Sequence, residues 1–321
     1  MKLFPLHLIP NDTNFNFMRL RWISLGVAVL LAVVAIGAMA TKGFNYALDF
    51  TGGTVVELRF ERPADVDGVR ERLAAAGFES AQVQTFGSGS DLLVRLQPRE
   101  GQRDAGGNDS TTQDVLAAAS TADNVAKPLR SEFVGPQVGK ELALNGLYAL
   151  IFVVVGFLIY IGFRFEWKFA VAAIFTTLHD VLIVAGFFAL TGREFDLTVL
   201  AGLLSVMGFS INDTIVVFDR VRENFRTLRL EPEEILNRSV NQTLSRTIIT
   251  SFVAFLTVLA LYIYGGGSLE GMAISQMMGI VIGTISSIFV ACPLLTMGFL
   301  KVTKQDLLPK AREEAALARR P

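Results

Sequence analysis

The sequence predicts a polytopic α-helical membrane protein with six transmembrane helices and a small α+β domain between the first and the second. Three observations predict it. Hydrophobic residues make up 51% of the 321 residues and charged residues only 18%, whereas ordinary globular domains carry about 25% charged residues. Six apolar runs are long enough for a hydrocarbon core of about 30 Å, which takes roughly 20 helical residues. The stretch between the first two runs changes from continuous apolarity to alternation, the pattern of half-buried strands.

The runs occupy residues 22–40, 142–161, 169–190, 197–218, 247–264 and 272–300, the last longer than a membrane needs. Basic residues sort by loop. Lys2, Arg19 and Arg21 precede the first run, Arg164 and Lys168 separate the second from the third, and a basic stretch from Arg220 to Arg246 separates the fourth from the fifth. Lys301, Lys304 and Arg320 follow the sixth, while the alternate loops hold Arg193 and, at 265–271, no base. By the positive-inside rule both termini are expected in the cytoplasm and the long segment on the opposite side. The expected organisation is a cytoplasmic N-terminus (1–21), the first helix (22–40), an outer domain (41–141), five further helices (142–300) and a cytoplasmic tail (301–321). Ala38-Met39-Ala40 has the form of a signal-cleavage site. The preceding run is long for a signal peptide, and the topology needs a span there, so an uncleaved anchor is expected. The lone Cys292 excludes an intramolecular disulfide and any multi-thiolate metal site, and reads as a packing residue.

Inside 41–141, "TVVELRF" (54–60) puts Val56, Leu58 and Phe60 on one face and Glu57 and Arg59 on the other. Residues 64–76 carry Val66, Val69, Leu73 and Ala76 at helical spacing, with Gly77 following as a cap. Strands are expected at 81–86 and 92–96 around the turn "GSGSD", then a flexible insertion at 99–112, a helix at 115–129 and a strand at 131–134. The order β-α-β-β-α-β is that of a ferredoxin-like domain. Further on, Pro232 with Glu233 and Glu234 marks a helix start. Leu236, Val240 and Leu244 form an apolar stripe, so a short helix lying at the membrane face is expected there.

Asp213 stands in "GFSINDTIVVF" (208–218), with apolar residues on both sides. A charged carboxylate in hydrocarbon costs about 2.5–3.5 kcal/mol, so such a residue normally faces a bundle interior and serves a pathway or relay. The structural alternative is an ion pair, with Arg220 two turns along or Arg246 at the start of the fifth run as partner. His179-Asp180 in the third run reads equally well as a proton relay and as a hydrogen-bonded strut. Gly202 and Gly208 in the fourth run and Gly279 and Gly283 in the sixth read as packing positions. Catalytic classes fail on inventory. "GPQVGKE" (135–141) is one residue short of a phosphate loop and has Glu where Ser or Thr must meet magnesium. Two histidines without HExxH leave zinc chemistry without ligands, and nothing resembles a nucleophile elbow. The basic loops set orientation and meet anionic lipid, needing no nucleic acid to explain them. No enzymatic activity, metal or cofactor is expected.

Six words occur in order: "LDFTGGT" (48–54), "VGPQVGKEL" (134–142), "FRFEWKFA" (163–170), "LHDV" (178–181), "SINDTIVVFDRVREN" (210–224) and "SRTIITS" (245–251). Together they resemble the SecD/SecF family of the bacterial protein-export machinery, on its SecF side, within the RND superfamily. The resemblance implies half of an RND-type helix bundle in the bacterial inner membrane, completed by SecD. It implies a periplasmic domain that meets unfolded preprotein, and proton-motive force used to complete translocation and release. The SecYEG translocon is an implied partner, with YajC and YidC as further neighbours. It assigns Asp213 and Arg246 to the proton path, with His179 and Asp180 in a less defined role. "DFTGGT" lies where the first run meets the outer domain, so Asp49, Phe50, Thr51, Gly52, Gly53 and Thr54 are expected to couple that domain to the helices, with tight packing as the equal alternative for its glycines. The competing readings are an RND-type small-molecule exporter, for which the chain has too few helices and too small an outer domain, and a non-transporting assembly factor of the translocon, in which Asp213 would be replaceable by Asn.

Overall fold

Backbone polar groups in hydrocarbon find no water, so apolar runs must satisfy them internally as helices. The computed structural model describes residues 13–79, 81–86, 90–96 and 107–303. In chain order the elements are α1 (Arg21–Thr41), the single turn α2 (Leu48–Thr51), β1 (Gly53–Phe60), α3 (Val66–Ala75), β2 (Gln82–Phe86), β3 (Asp91–Leu96), α4 (Gly107–Ala119) and β4 (Ala126–Val134). Five long helices follow: α5 (Pro136–Arg164), α6 (Trp167–Thr191), α7 (Leu197–Thr227), α8 (Pro232–Tyr264) and α9 (Gly267–Ser286). Among the described residues six helices are long and apolar enough to cross a membrane, and the chain is a multi-pass membrane protein. It divides into two units, Met1–Asn45 with Leu150–Pro321, and Tyr46–Ala149.

In the helical unit, α6, α7 and α9 carry the largest buried shares of the apolar helices, and small residues set their spacing. A Cβ added to Gly279 would lie 2.0 Å from Val206, one on Gly202 1.8 Å from the Ser275 hydroxyl, and one on Gly186 2.3 Å from Ala35. Gly208, by contrast, has open space around it. Phe169 and Phe218 are fully buried and meet edge to face with ring centroids 5.2 Å apart.

Two helices differ from expectation. The surface helix expected after Pro232 is instead the first part of α8, a single helix of 33 residues. Nothing after Pro232 interrupts it, because no Gly or Pro occurs before Gly265. At about 1.5 Å per residue it outruns a 30 Å core by roughly 20 Å. Its extra turns are buried in protein. Ile235, Leu236, Ser239 and Val240 are inaccessible, Asn224 donates to Ser239 and Gln242, and the Phe15 and Met18 N–H groups donate to Asn241 and Asn237. The last run, expected as one span, is α9 followed by a π-turn at Ser287–Ala291 and a short turn at Cys292–Leu294. Pro293 has no N–H for the preceding turn and crowds its carbonyl, which interrupts the regular ladder. Cys292 is free and fully buried.

The second unit is a four-stranded antiparallel sheet in the order β2-β3-β1-β4. Val56 pairs with Val94 and Leu58 with Leu92 across β1 and β3. These side chains share a core with Val69 and Leu73 of α3 and Val115 and Ala119 of α4. α4 begins at Gly107, inside the stretch expected to be flexible, and the expected helix beyond Ala119 is partly strand, since β4 starts at Ala126. Burial of Val115 and Ala119 organises this polar sequence into an amphipathic helix, and Thr112 adds a 2.7 Å hydroxyl contact to Ser131 of β4. Pro128 lies on the edge strand beside a register shift at Glu57/Leu58, where a missing donor is tolerated. Residues 99–106 of the expected insertion and 87–89 of the turn lie outside the described residues.

Arg59 and Asp91 are cross-strand partners joined by two hydrogen bonds of 2.8 and 3.0 Å. That hydrogen bonding holds the Asp91 carboxyl below its ordinary range, with burial opposing and the guanidinium charge assisting. A depressed folded-state value means that the contribution is complete above the unfolded value, about pH 4, and is lost as pH falls through the folded one. Asp91→Asn is expected to remove this part of the acid dependence. Hydrogen exchange of β1 and β3 followed from pH 6 to pH 3 in parent and variant checks it.

Candidate functional site

Asp213 faces inward from α7 and is 2% exposed. Its hydrogen-bond partner among the described residues is the Ser251 hydroxyl of α8, at 3.3 Å. That hydroxyl has one proton and also lies 2.7 Å from the Thr247 carbonyl, the better-placed acceptor. Thr284 of α9 continues the chain, its hydroxyl 2.7 Å from Ser251 and 2.6 Å from the Ile280 carbonyl. Asp213 is therefore a buried carboxylate with one weak, contested donor. The two cations considered as partners do not pair with it. Arg220 is bound to Glu223 at 2.8 Å, one turn along its own helix. Arg246 is exposed on α8 and forms no ion pair with Asp213 among the described residues.

Asp180 of α6 has the opposite environment. It is fully buried, and its Oδ2 accepts from Ser210 of α7 and Ser286 of α9, both at 2.6 Å. Its Oδ1 lies 3.1 Å from Nδ1 of His179, whose Nε2 lies 3.2 Å from the Ala28 carbonyl of α1. Four helices thus meet at the His179–Asp180 pair. The pair was visible in the sequence, but Ser210 and Ser286 were not, because serine in an apolar helix usually bonds its own preceding carbonyl.

A further charged cluster joins the α5–α6 connection to α7. Arg164 bonds Asp219 at 2.7 Å and Arg222 bonds Glu166 at 3.1 Å, with both guanidiniums about 5 Å over the Phe165 ring (5.4 and 5.3 Å). These residues lie in the words "FRFEWKFA" and "SINDTIVVFDRVREN", and only charge complementarity between the two words hinted at the contact.

In the second unit, "LDFTGGT" forms α2 and the start of β1. Gly52 and Gly53 have φ of 68° and 122°, a region that L side chains avoid. A Cβ on Gly53 would lie 2.3 Å from the Leu96 carbonyl oxygen. One on Gly139, from "VGPQVGKEL", would lie 3.0 Å from the Gly52 nitrogen and 3.4 Å from the Asp49 carbonyl. Two distant words thus meet backbone to backbone. Phe50 packs edge to face on Tyr46 with centroids 5.9 Å apart, and Thr51 bonds the Ala47 carbonyl at 3.2 Å. Thr54 is buried in β1.

Apolar helices that enclose ionisable side chains define an integral membrane protein with a polar interior, the arrangement found where ions or protons move. The family model described as protein export membrane protein SecD/SecF, C-terminal, matches residues 114–300, and the SecD/SecF GG motif matches 37–64. The chain belongs to the SecD/SecF family of protein-export membrane proteins. It is 45% identical over 281 residues to the protein translocase subunit SecF of Escherichia coli O157:H7, covering 87% of this chain and 86% of that one. With the SecF of Pseudomonas aeruginosa it is 46% identical over 299 residues, covering 92% and 94%. Its fold is similar to the crystal structure of SecDF, a translocon-associated membrane protein from Thermus thermophilus, with a TM-score of 0.80 and 40% identity. That match covers 90% of this chain but 39% of the SecDF chain, so the chain spans well under half of that protein.

Ser210→Ala is expected to cost about 1–3 kcal/mol, because it takes a close donor from a buried carboxyl group. Ser251→Ala is expected to cost less than about 1 kcal/mol, since most of its hydroxyl bonding is to its own helix. Thermal unfolding of the two variants in the same detergent compares them. Gly53→Ala is expected to destabilise the second unit by roughly 1–3 kcal/mol through backbone strain alone, and by more through the carbonyl clash. Hydrogen exchange of β1 reads that loss.

Proposed function

We propose that this chain is the SecF-type subunit of a proton-driven protein-export unit in the bacterial inner membrane, assembled with a SecD-type partner. Reversible protonation of Asp213 biases two helix arrangements and so drives preprotein release on the periplasmic side. The observation that carries this reading is the contrast between the two buried carboxylates. Asp180 is saturated with donors, while Asp213 has one contested hydroxyl. A carboxyl so poorly served by donors gains little from staying charged, and becomes a good acceptor for a proton or for a cation that moves to it. Arg246, on the next helix and unpaired with it in this arrangement, is that cation. One charge crossing about 100 mV is worth about 2.3 kcal/mol, which shifts a two-state equilibrium about 50-fold. The saturated His179–Asp180 pair stands outside this route.

In this reading the six helices are half of an RND-type bundle. The unit spanning Tyr46–Ala149 is a ferredoxin-like domain on the periplasmic side, a reading supported by its element order and its sheet order. Both termini are cytoplasmic, as the basic loops suggest. The SecYEG translocon is the neighbouring partner, with YajC and YidC as further contacts, and the segment Asp49–Thr54 links domain motion to the helices. The chain acts as a transport subunit and catalyses no covalent chemistry.

The test is export into membrane vesicles containing the SecD partner, with and without an imposed proton gradient. Asp213→Asn keeps the shape and cannot ionise, and is expected to reduce the gradient-stimulated component at least tenfold while the complex still assembles. Arg246→Gln is expected to act in the same direction. Full stimulation in Asp213→Asn would move the chain to the assembly-factor reading.

A further inference from the structure

We propose that His179 and Asp180 hold one shared, permanently resident proton and act as a neutral clamp joining α1, α6, α7 and α9, a positioning device rather than a carrier of protons. The inference rests on the proposed function only for the export readout below.

The proton count follows from the acceptors. The Ala28 carbonyl can only accept, so His179 Nε2 must donate across their 3.2 Å contact. Nδ1 then faces Asp180 Oδ1 at 3.1 Å, and a hydrogen bond there needs a proton on one atom or the other. Either the ring carries both protons beside a carboxylate, or a neutral ring accepts from a protonated carboxyl. The two forms differ by a shift of one proton along one hydrogen bond, and in both the pair has zero net charge. The second oxygen is independent of this choice, because Oδ2 accepts from Ser210 and Ser286 in either form.

Among the described residues in contact with the pair, none offers that proton an ionisable acceptor. The α1 side offers the Ala28 carbonyl, α7 offers Ser210, and α9 offers Ser286 and Gly283, whose added Cβ would lie 3.7 Å from Oδ2. None of these groups ionises. Asp213, on the same helix as Ser210, bonds instead to α8 through Ser251. The accessible edge of the imidazole opens on a groove walled by Ile23, Val27, Leu31, Ile183, Ile285 and Phe289, an apolar lining that stabilises no leaving charge. The helices are also held close here. Ala28 and Ala35 are buried on α1, and Gly186 leaves no room for a Cβ against Ala35. Removing the proton would set Asp180 Oδ1 against a bare ring nitrogen inside this contact, and adding one would leave an unpaired positive charge.

Asp180→Asn separates clamp from carrier. Its amide group can donate to Nδ1 of a neutral ring, its carbonyl can accept from Ser210 and Ser286, and the ring keeps its bond to Ala28. Every hydrogen bond survives without a titratable carboxyl. Asp180→Ala keeps none of those made by the carboxyl. With the SecD partner present, Asp180→Asn is expected to retain gradient-stimulated export within about twofold of the parent and to melt at the parent's midpoint. Asp180→Ala is expected to lower the midpoint by at least about 5 °C, the scale of a loss of 2 kcal/mol or so. Loss of gradient stimulation in Asp180→Asn at an unchanged midpoint would make the pair a carrier and overturn the proposal. So would a midpoint in Asp180→Asn as low as that of Asp180→Ala, or a parental midpoint in Asp180→Ala. If the parent itself shows no gradient response, the proposed function fails, and the two melting midpoints alone decide the clamp.

Discussion

A carboxyl group inside an apolar helix bundle must be surrounded by donors, meet a cation or take up a proton. The helical unit depends on how that constraint is met at two places. At Asp180 the Ser210 and Ser286 hydroxyls and the adjacent His179 imidazole, from three helices, satisfy it. At Asp213, one helix over, the donors are scarce and shared with backbone carbonyls. The same residue type, buried to nearly the same degree, therefore stands in two different hydrogen-bonding environments set by its neighbours alone.

Close helix approach makes this selectivity effective. Hydrophobic driving force between helices is weak in lipid, so small residues and short polar contacts hold a bundle together. Gly186, Gly202 and Gly279 leave no space for added side-chain atoms, and the serines that reach Asp180 do so at 2.6 Å because those helices nearly touch. The same principle governs the second unit, where Gly52, Gly53 and Gly139 let backbone meet backbone at the start of the sheet. Where length rather than proximity is the issue, protein substitutes for lipid. The extra turns of α8 are covered by the end of α7 and the residues before α1.

Much of the architecture was legible in the sequence. The six apolar runs, the alternating strand 54–60 and the isolated Asp213 depend on local composition and periodicity, and local physics reads them correctly. Boundaries set by long-range burial were not legible. The polar start of α4 becomes helical because Val115 and Ala119 are buried under the sheet, and α8 continues past its expected break because its first turns are packed in protein. Arg164 with Asp219 and Glu166 with Arg222 were present in two quoted words, yet 55 or more residues separate the partners of each pair.

By itself the sequence determined the membrane class, the number of spans, the family words and the placement of ionisable residues on particular helices. Each of these follows from hydrocarbon thickness, from backbone hydrogen-bond closure or from residue identity. Only the tertiary structure decided that Asp213 has neither Arg220 nor Arg246 as an ion-pair partner, that Ser210 and Ser286 converge on Asp180, and that Gly53 and Gly139 are required by space. Those outcomes depend on which atoms of distant segments come within about 3 Å of one another, and a one-dimensional pattern carries no record of that distance.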